Sequence, residues 1–480
     1  MGRILVLTPP IVKHKVLTTM TTPAPSPPRP AAARPSTPPL IYHRFFLTGI
    51  AVTLTAGAVW GAWLLLRIAH ARDFAAPSAF QINAHGQAQI YGWMGLFIIG
   101  FGLQMFPSFW GGRLPAPRLA RALLPLMALA VGVRAVAEAR AVGRCAGVAI
   151  AAGGLQLLLV ATFVTLLGVT AWRGRNRGRV ADRYLGAGLA WFVLAGALDL
   201  RHLIQTVTAP DREALLAAIA TWQVPLRDLQ IHGLALAMII GVSLRVLPGL
   251  FGTPAADERL ARRLFWPLQL AVLVEVASFP AAMSTRRPLW FVAYGAATLL
   301  FVATAALAAA NLRVFARPRV VLPRLSPLTF IRAAHVWLAV SLAMLATGPL
   351  WAHWLGIPFS HAWHGATRHA VTVGFVSLMM IGVASRLAPR PYDSGAAGAA
   401  MPVTPFVLLN LGCTLRVSQQ VLTDLTPLAF LPAGASGLFE VTGLVWWATW
   451  IVPRLLRVGQ PLVPPAAGLA AGAASAPVES

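Results

Sequence analysis

The chain has almost no cysteine and few acidic residues. Only Cys145 and Cys413 are present in 480 residues. That excludes a disulfide framework and any C-x-x-C metal pair, and without a C-x-x-C-H motif covalent c-type haem attachment is excluded as well. Charged residues make up only 11%, with 14 Asp and Glu against 39 Lys and Arg. Soluble domains carry roughly 25% charged residues, so a large soluble enzyme is excluded. No stretch alternates apolar and polar residues in the way a membrane β-barrel requires.

Long apolar runs are what the chain has in place of charge. Hydrophobic residues reach 57%, and a membrane helix needs about 20 of them in succession. Twelve runs qualify, near 45–66, 88–107, 119–138, 146–170, 184–204, 230–250, 264–283, 288–311, 332–352, 369–388, 402–421 and 436–453. The expected fold is an all-α polytopic membrane protein of about twelve transmembrane helices. The lipid bilayer is its expected partner.

The formal charge of +25 is distributed against a nucleic-acid partner. The basic residues are mostly Arg and lie between apolar runs. Arg173, Arg175, Arg177, Arg179 and Arg183 fill one loop, and Arg313, Arg317, Arg319, Arg324 and Arg332 another. These loops follow even-numbered runs and share one side. The opposite loops mix signs, as in Asp211, Arg212, Glu213, Arg227 and Asp228. The positive-inside rule then predicts that both termini are cytoplasmic. Residues 1–40 are Pro-rich and are expected to be disordered, as is the Ala/Gly/Pro-rich tail 464–480.

Three segments of the chain read alike. Ile99-Gly100 through Pro107, Ile240-Gly241 through Pro248 and Ile381-Gly382 through Pro389 repeat at 141 residues. A fixed period means one architectural unit used three times. It divides the core into 41–181, 182–322 and 323–463, with four helices each. Arg134, Glu275 and Arg416 also fall at this period, which places an ionisable residue at one depth in the third helix of every unit. Such intramembrane charges are costly, and a carboxylate there needs a partner.

A histidine precedes each copy of the motif: His85, His232 and His369. Neutral imidazole is the commonest metal ligand, and two imidazoles facing across helices hold a b-type haem without covalent attachment. His361 and His364, three residues apart before His369, share a face if helical and suit copper. Arg134 and Arg416 suit the haem propionates, because Arg pairs carboxylates bidentately. A plainer reading has each histidine bonded at a helix end and each arginine at a lipid headgroup.

The residues His43-Arg44-Phe45-Phe46, Asn83-Ala84-His85-Gly86 and above all His369 through Pro389, with Gly374, Met379, Gly382 and Arg386, resemble the NnrS family of bacterial membrane proteins over about 41–455. That resemblance implies a twelve-helix inner-membrane protein carrying haem and copper and associated with denitrification and nitric oxide stress. It does not supply a reaction. The chain is also remotely similar to subunit I of haem-copper oxidases, but Leu273 to Pro280 holds no adjacent His pair, so a binuclear oxygen-reducing site is not expected. Two other readings stand beside a haem protein that senses, scavenges or handles nitric oxide. One is a metal-free twelve-helix transporter. The other is a nitric oxide-reducing redox enzyme, which needs a second metal and an electron donor.

Overall fold

A computed structural model of the chain describes residues 41–141, 143–388 and 400–458. The expectations for 1–40 and 464–480 and for Pro389 lie outside the described residues. The protein is an all-α polytopic membrane protein, and no strand occurs among the described residues. Its long helices are α1 Tyr42–Ala71, α2 Ala79–Trp110, α3 Pro117–Arg140, α4 Arg144–Arg173, α5 Val180–Val207, α6 Arg212–Phe251, α7 Glu258–Thr285, α8 Pro288–Asn311, α9 Pro327–Leu355, α10 His361–Leu387, α11 Val403–Leu422 and α12 Pro427–Leu456. Eleven are long and apolar enough to cross a membrane. The exception is α11, whose Asn410, Arg416, Gln419 and Gln420 dilute its apolar character.

Helices α2, α6 and α10 form the inner layer. Their most apolar windows are 78%, 61% and 72% buried, against 33–50% for the other eight. Each inner helix packs on the first helix of its own unit: α2 on α1, α6 on α5 and α10 on α9. Antiparallel pairs α3–α4, α7–α8 and α11–α12 lie outside them. Consecutive units join through α4–α5 and α8–α9, and α12 packs on α1 to close the ring.

The repeated glycine makes the inner crossing possible. A Cβ on Gly100 would lie 2.4 Å from the Phe45 Cβ, one on Gly241 2.9 Å from the Leu185 backbone nitrogen, and one on Gly382 2.9 Å from the Pro327 carbonyl. Each glycine therefore lets its inner helix touch the first helix of its unit, as small residues do between membrane helices.

The inner helices share a second feature. A π-helical segment interrupts each of them, at Ala88–Gly95, Leu229–Ala235 and Ala370–Ser377. The three segments begin 141 residues apart. A π turn inserts an extra residue into the ladder and often marks a functional site. The units are also stitched together at equivalent positions. Arg245 donates to the Phe109 carbonyl and Arg386 to the Leu250 carbonyl, each reaching the end of the preceding inner helix.

All three inner helices begin earlier than the apolar runs suggest. Ser78, Asp211 and Ser360 cap them by accepting from the backbone N–H of Gln81, Ala214 and Trp363. Polar residues ahead of each apolar run, Gln81 and Asn83, Arg227 and Asp228, His361 and His364, make hydropathy start the helix late. Hence Arg227 and Asp228 belong to α6 and not to an outer loop, and His361, His364 and His369 belong to α10.

Candidate functional site

Between the inner helices lies an apolar cavity of about 60 Å³. Phe97, Met238 and Met379 line it at one level and Phe101, Val242 and Val383 at another. Each set is spaced by 141 residues, so equivalent positions of three units surround one axis. Ser243 is the single hydroxyl in the lining. Cavities of this lining stay dry and accept apolar guests.

Toward the N-terminal ends of the inner helices, each unit builds one polar nest. Each joins position 87, 228 or 369 on its inner helix to the neighbourhood of position 134, 275 or 416 on the next helix. The chemistry differs at every copy.

In the first unit the nest is an ion-pair lattice. Arg134 is 2% exposed. Its Nε donates to Glu138 at 2.9 Å, and its Nη1 donates to Asp199 and, at 2.8 Å, to Gln156. Gln156 in turn donates to Gln87 at 3.0 Å. Arg227 of the second unit lies over Gly86, where a Cβ would meet its Nη2 at 2.7 Å, and faces Asp199 and Glu138 as well. Arg134 was expected to meet a haem propionate. Its guanidinium is instead already satisfied by two carboxylates of the chain.

In the second unit, the His232 Nδ1 lies 3.0 Å from Glu275 and 3.9 Å from Asp228. The imidazole stacks on Phe301 at 3.9 Å between ring centres. Asp228 is held by Arg368 of the third unit at 2.6 Å, and the Tyr294 hydroxyl approaches its other oxygen at 3.4 Å. Glu275 is fully buried, and its Oε1 has no partner. His232 thus supplies the partner that an intramembrane Glu275 needs, and it forms a nest of its own.

In the third unit, His369 Nε2 donates to Glu440 at 2.6 Å, and Cys413 joins them, all three ligand atoms within 4.8 Å of one another. Arg416 lies beside Glu440 and Cys413, yet its Nε and Nη1 are buried without a partner. His85 of the first unit enters this neighbourhood, near enough for His369, Arg416 and Arg227 to act on its charge. Its ring rests on Gly61, where a Cβ would lie 2.6 Å from Cε1. The π turn at Thr53–Gly57 presents the Gly57 carbonyl to His85 Nδ1 at 3.1 Å. A carbonyl only accepts, so Nδ1 carries the proton and Nε2 keeps a free lone pair. That is the arrangement by which a second-layer carbonyl prepares a metal-ligating histidine.

Sequence position alone misled on equivalence. The π segments fix the register, and in that register His369 matches Asp228 and Gln87, while His232 matches Tyr91 and Val373. His85 lies within electrostatic reach of His369, whereas His232 is bound into the nest of Glu275 and Asp228. His361 is exposed and His364 half-buried, with Phe359 packed 5.0 and 5.3 Å from their rings. Neither belongs to the two three-ligand groups found among the described residues. Sequence reasoning did not single out Glu440, Glu138 or Arg368. Glu440 was findable as a lone acid in the apolar run of α12, and Asp228 by its spacing of four from His232. The chain matches no protein-family model and no curated protein sequence.

Proposed function

We propose that this is a haem-binding multi-pass protein of the bacterial inner membrane, with both termini cytoplasmic, that handles nitric oxide in denitrification or nitrosative-stress protection. The observation that carries the reading is the third nest. It combines an imidazole at His369, a thiol at Cys413 and a buried guanidinium at Arg416 whose Nε and Nη1 lack partners, with His85, whose Nε2 is free, within electrostatic reach. These residues fit a b-type haem. His85 would hold the haem iron, and Arg416 would take a propionate, a role that fits its unpaired Nε and Nη1. His369 with Cys413 offers the imidazole and soft thiolate that suit copper. Haem iron, when bound, supplies coordination of a diatomic gas.

The chain's own residues do the rest. Gly57 and Gly61 set the His85 tautomer and ring position. Glu440 holds His369, and the apolar axis offers an uncharged gas a dry space of its own kind. Purified protein is expected to give a b-type pyridine haemochrome and to contain copper. The His85→Ala/His369→Ala double variant should lose the Soret band. Unchanged haem content in folded double variant refutes the ligand assignment.

The buried lattice around Arg134 and the Asp228–Arg368 pair favour a second reading, a metal-free transporter, because intramembrane ionisable groups mark ion pathways by default. Solute uptake into proteoliposomes by haem- and metal-free protein would establish it. A nitric oxide-reducing enzyme is the third reading, and steady consumption of nitric oxide with an added quinol would identify it.

A further inference from the structure

The charges of the three nests do not balance in the same way. The first sets Arg134 and Arg227 against Glu138 and Asp199. The third sets Arg416 against Glu440. The second sets a single cation, Arg368, against Asp228 and Glu275, which are 1% and 0% exposed. With His232 neutral, one buried carboxylate is in excess. An uncompensated buried charge is severely unfavourable, so the nest is balanced either by a proton on His232, 3.0 Å from Glu275, or by a bound cation.

We propose that Asp228, His232 and Glu275 bind a divalent transition-metal cation of the zinc class, at a site separate from that of the third unit. Three observations carry this. First, the donors are one imidazole nitrogen and two carboxylates, a set that zinc accepts, and their ligand atoms lie within 4.8 Å of one another. Second, tetrahedral ligands at 2.0–2.1 Å from a metal are about 3.3 Å apart. The His232–Glu275 and His232–Asp228 separations of 3.0 and 3.9 Å bracket that value. Third, the fully buried Glu275 Oε1 has no hydrogen-bond partner, so the nest retains an unused acceptor.

The surroundings suit a ligand shell. Arg368 and Tyr294 orient Asp228, and Phe301 fixes the plane of His232, as outer groups do around metal ligands. When the cation binds, the imidazolium of His232 releases its Nδ1 proton to solvent, keeps the proton on Nε2, and the neutral ring offers its Nδ1 lone pair to the metal beside the carboxylate. The inference is independent of any haem or copper at the third nest.

The test is titration of chelator-treated full-length protein in detergent with Co²⁺, followed by X-ray absorption at the cobalt edge. The expected result is one tightly bound equivalent showing the visible bands of a tetrahedral site, displaced by Zn²⁺, with imidazole and oxygen ligation and no sulfur. Glu275→Gln, which keeps the shape of the side chain, should weaken binding more than about tenfold. His369→Ala should leave this equivalent in place. Absence of binding in wild-type protein overturns the proposal, as does binding unchanged by Glu275→Gln. A single bound equivalent with sulfur among its ligands would move the metal to Cys413 and also overturn it. The absorption measurement needs no variant, so it decides the matter even if Glu275→Gln fails to fold.

Discussion

Replacing Arg134 with Met separates a structural role from a cofactor role. Arg134 is 2% exposed and binds Glu138, Asp199 and Gln156 together. Met keeps most of the volume and removes the charge. Glu138 and Asp199 are then buried with only Arg227 facing them. Breaking a buried ion pair from one side costs about 3–5 kcal/mol, which is a factor of roughly 100 to 5,000 in the folding equilibrium. Gln156 Oε1 loses its donor too, a penalty of about 1–3 kcal/mol where nothing replaces it. The thermal midpoint in detergent, read by size-exclusion chromatography after heating, is expected to fall by about 5 °C or more. Haem per folded molecule should not change. The triple variant Arg134→Met/Glu138→Leu/Asp199→Leu should recover most of the loss, because apolar replacement of a complete buried network is often neutral. A single variant as stable as wild type refutes the reasoning. So does one that loses haem at unchanged stability, which would return Arg134 to the propionate role.

Three further outcomes follow from the geometry. Gly100→Ala, Gly241→Ala and Gly382→Ala should each destabilise the protein by about 1–3 kcal/mol, since the new methyl overpacks a helix crossing; equal stability at all three in thermal unfolding would deny that the crossings are tight. Val242→Phe adds four carbons to a lining residue of the axial cavity, and should abolish xenon binding measured in pressurised crystals while leaving haem content intact. Asp257 accepts from the N–H groups of Arg259 and Leu260 at the start of α7, and these bonds hold its carboxyl below the ordinary 3.8. Its contribution is therefore present above pH 3.8 and lost as pH falls through the lower folded value. Asp257→Ala should reduce the thermal midpoint at pH 7, and the difference from wild type should shrink on acidification below pH 3.8.

The fold was legible because apolar runs and a 141-residue period report on lipid and on repetition directly. Gly100, Gly241 and Gly382 stood out in sequence for the same reason that they matter in space: only a hydrogen fits at each crossing. The starts of α2, α6 and α10 were hidden, because Asn83, Arg227 and His364 are polar and a hydropathy reading ends where they begin. Their polarity is satisfied inside the bundle and not by water, which composition cannot distinguish. The nests were half legible. Glu275 announced that it needed a partner, but that the partner is His232 depends on α7 packing against the π segment of α6. Arg134 and Arg416 look identical in sequence at one period, and only their neighbours separate a guanidinium bonded to two carboxylates from one whose Nε and Nη1 have no partner.

That contrast argues for how a repeated fold divides its work. The three units share the glycine crossing, the π segment and the outer helix pair, all of which backbone and packing dictate. They differ at the positions where an inner helix faces its neighbour. Position 86, 227 or 368 is Gly, Arg or Arg. Arg227 therefore reaches back into the first nest and Arg368 into the second. The glycine of the first unit sends no cation into the third nest, where Arg416 Nε and Nη1 have no partner and His85 lies within electrostatic reach. A single substitution, Gly86→Arg, would restore the missing arm of the pattern. It would also drive its side chain against Arg227, 2.7 Å from where its Cβ must sit. The glycine thus leaves room for Arg227 beside the first nest, and the third nest lacks the arginine that the other two receive from the inner helix of the next unit.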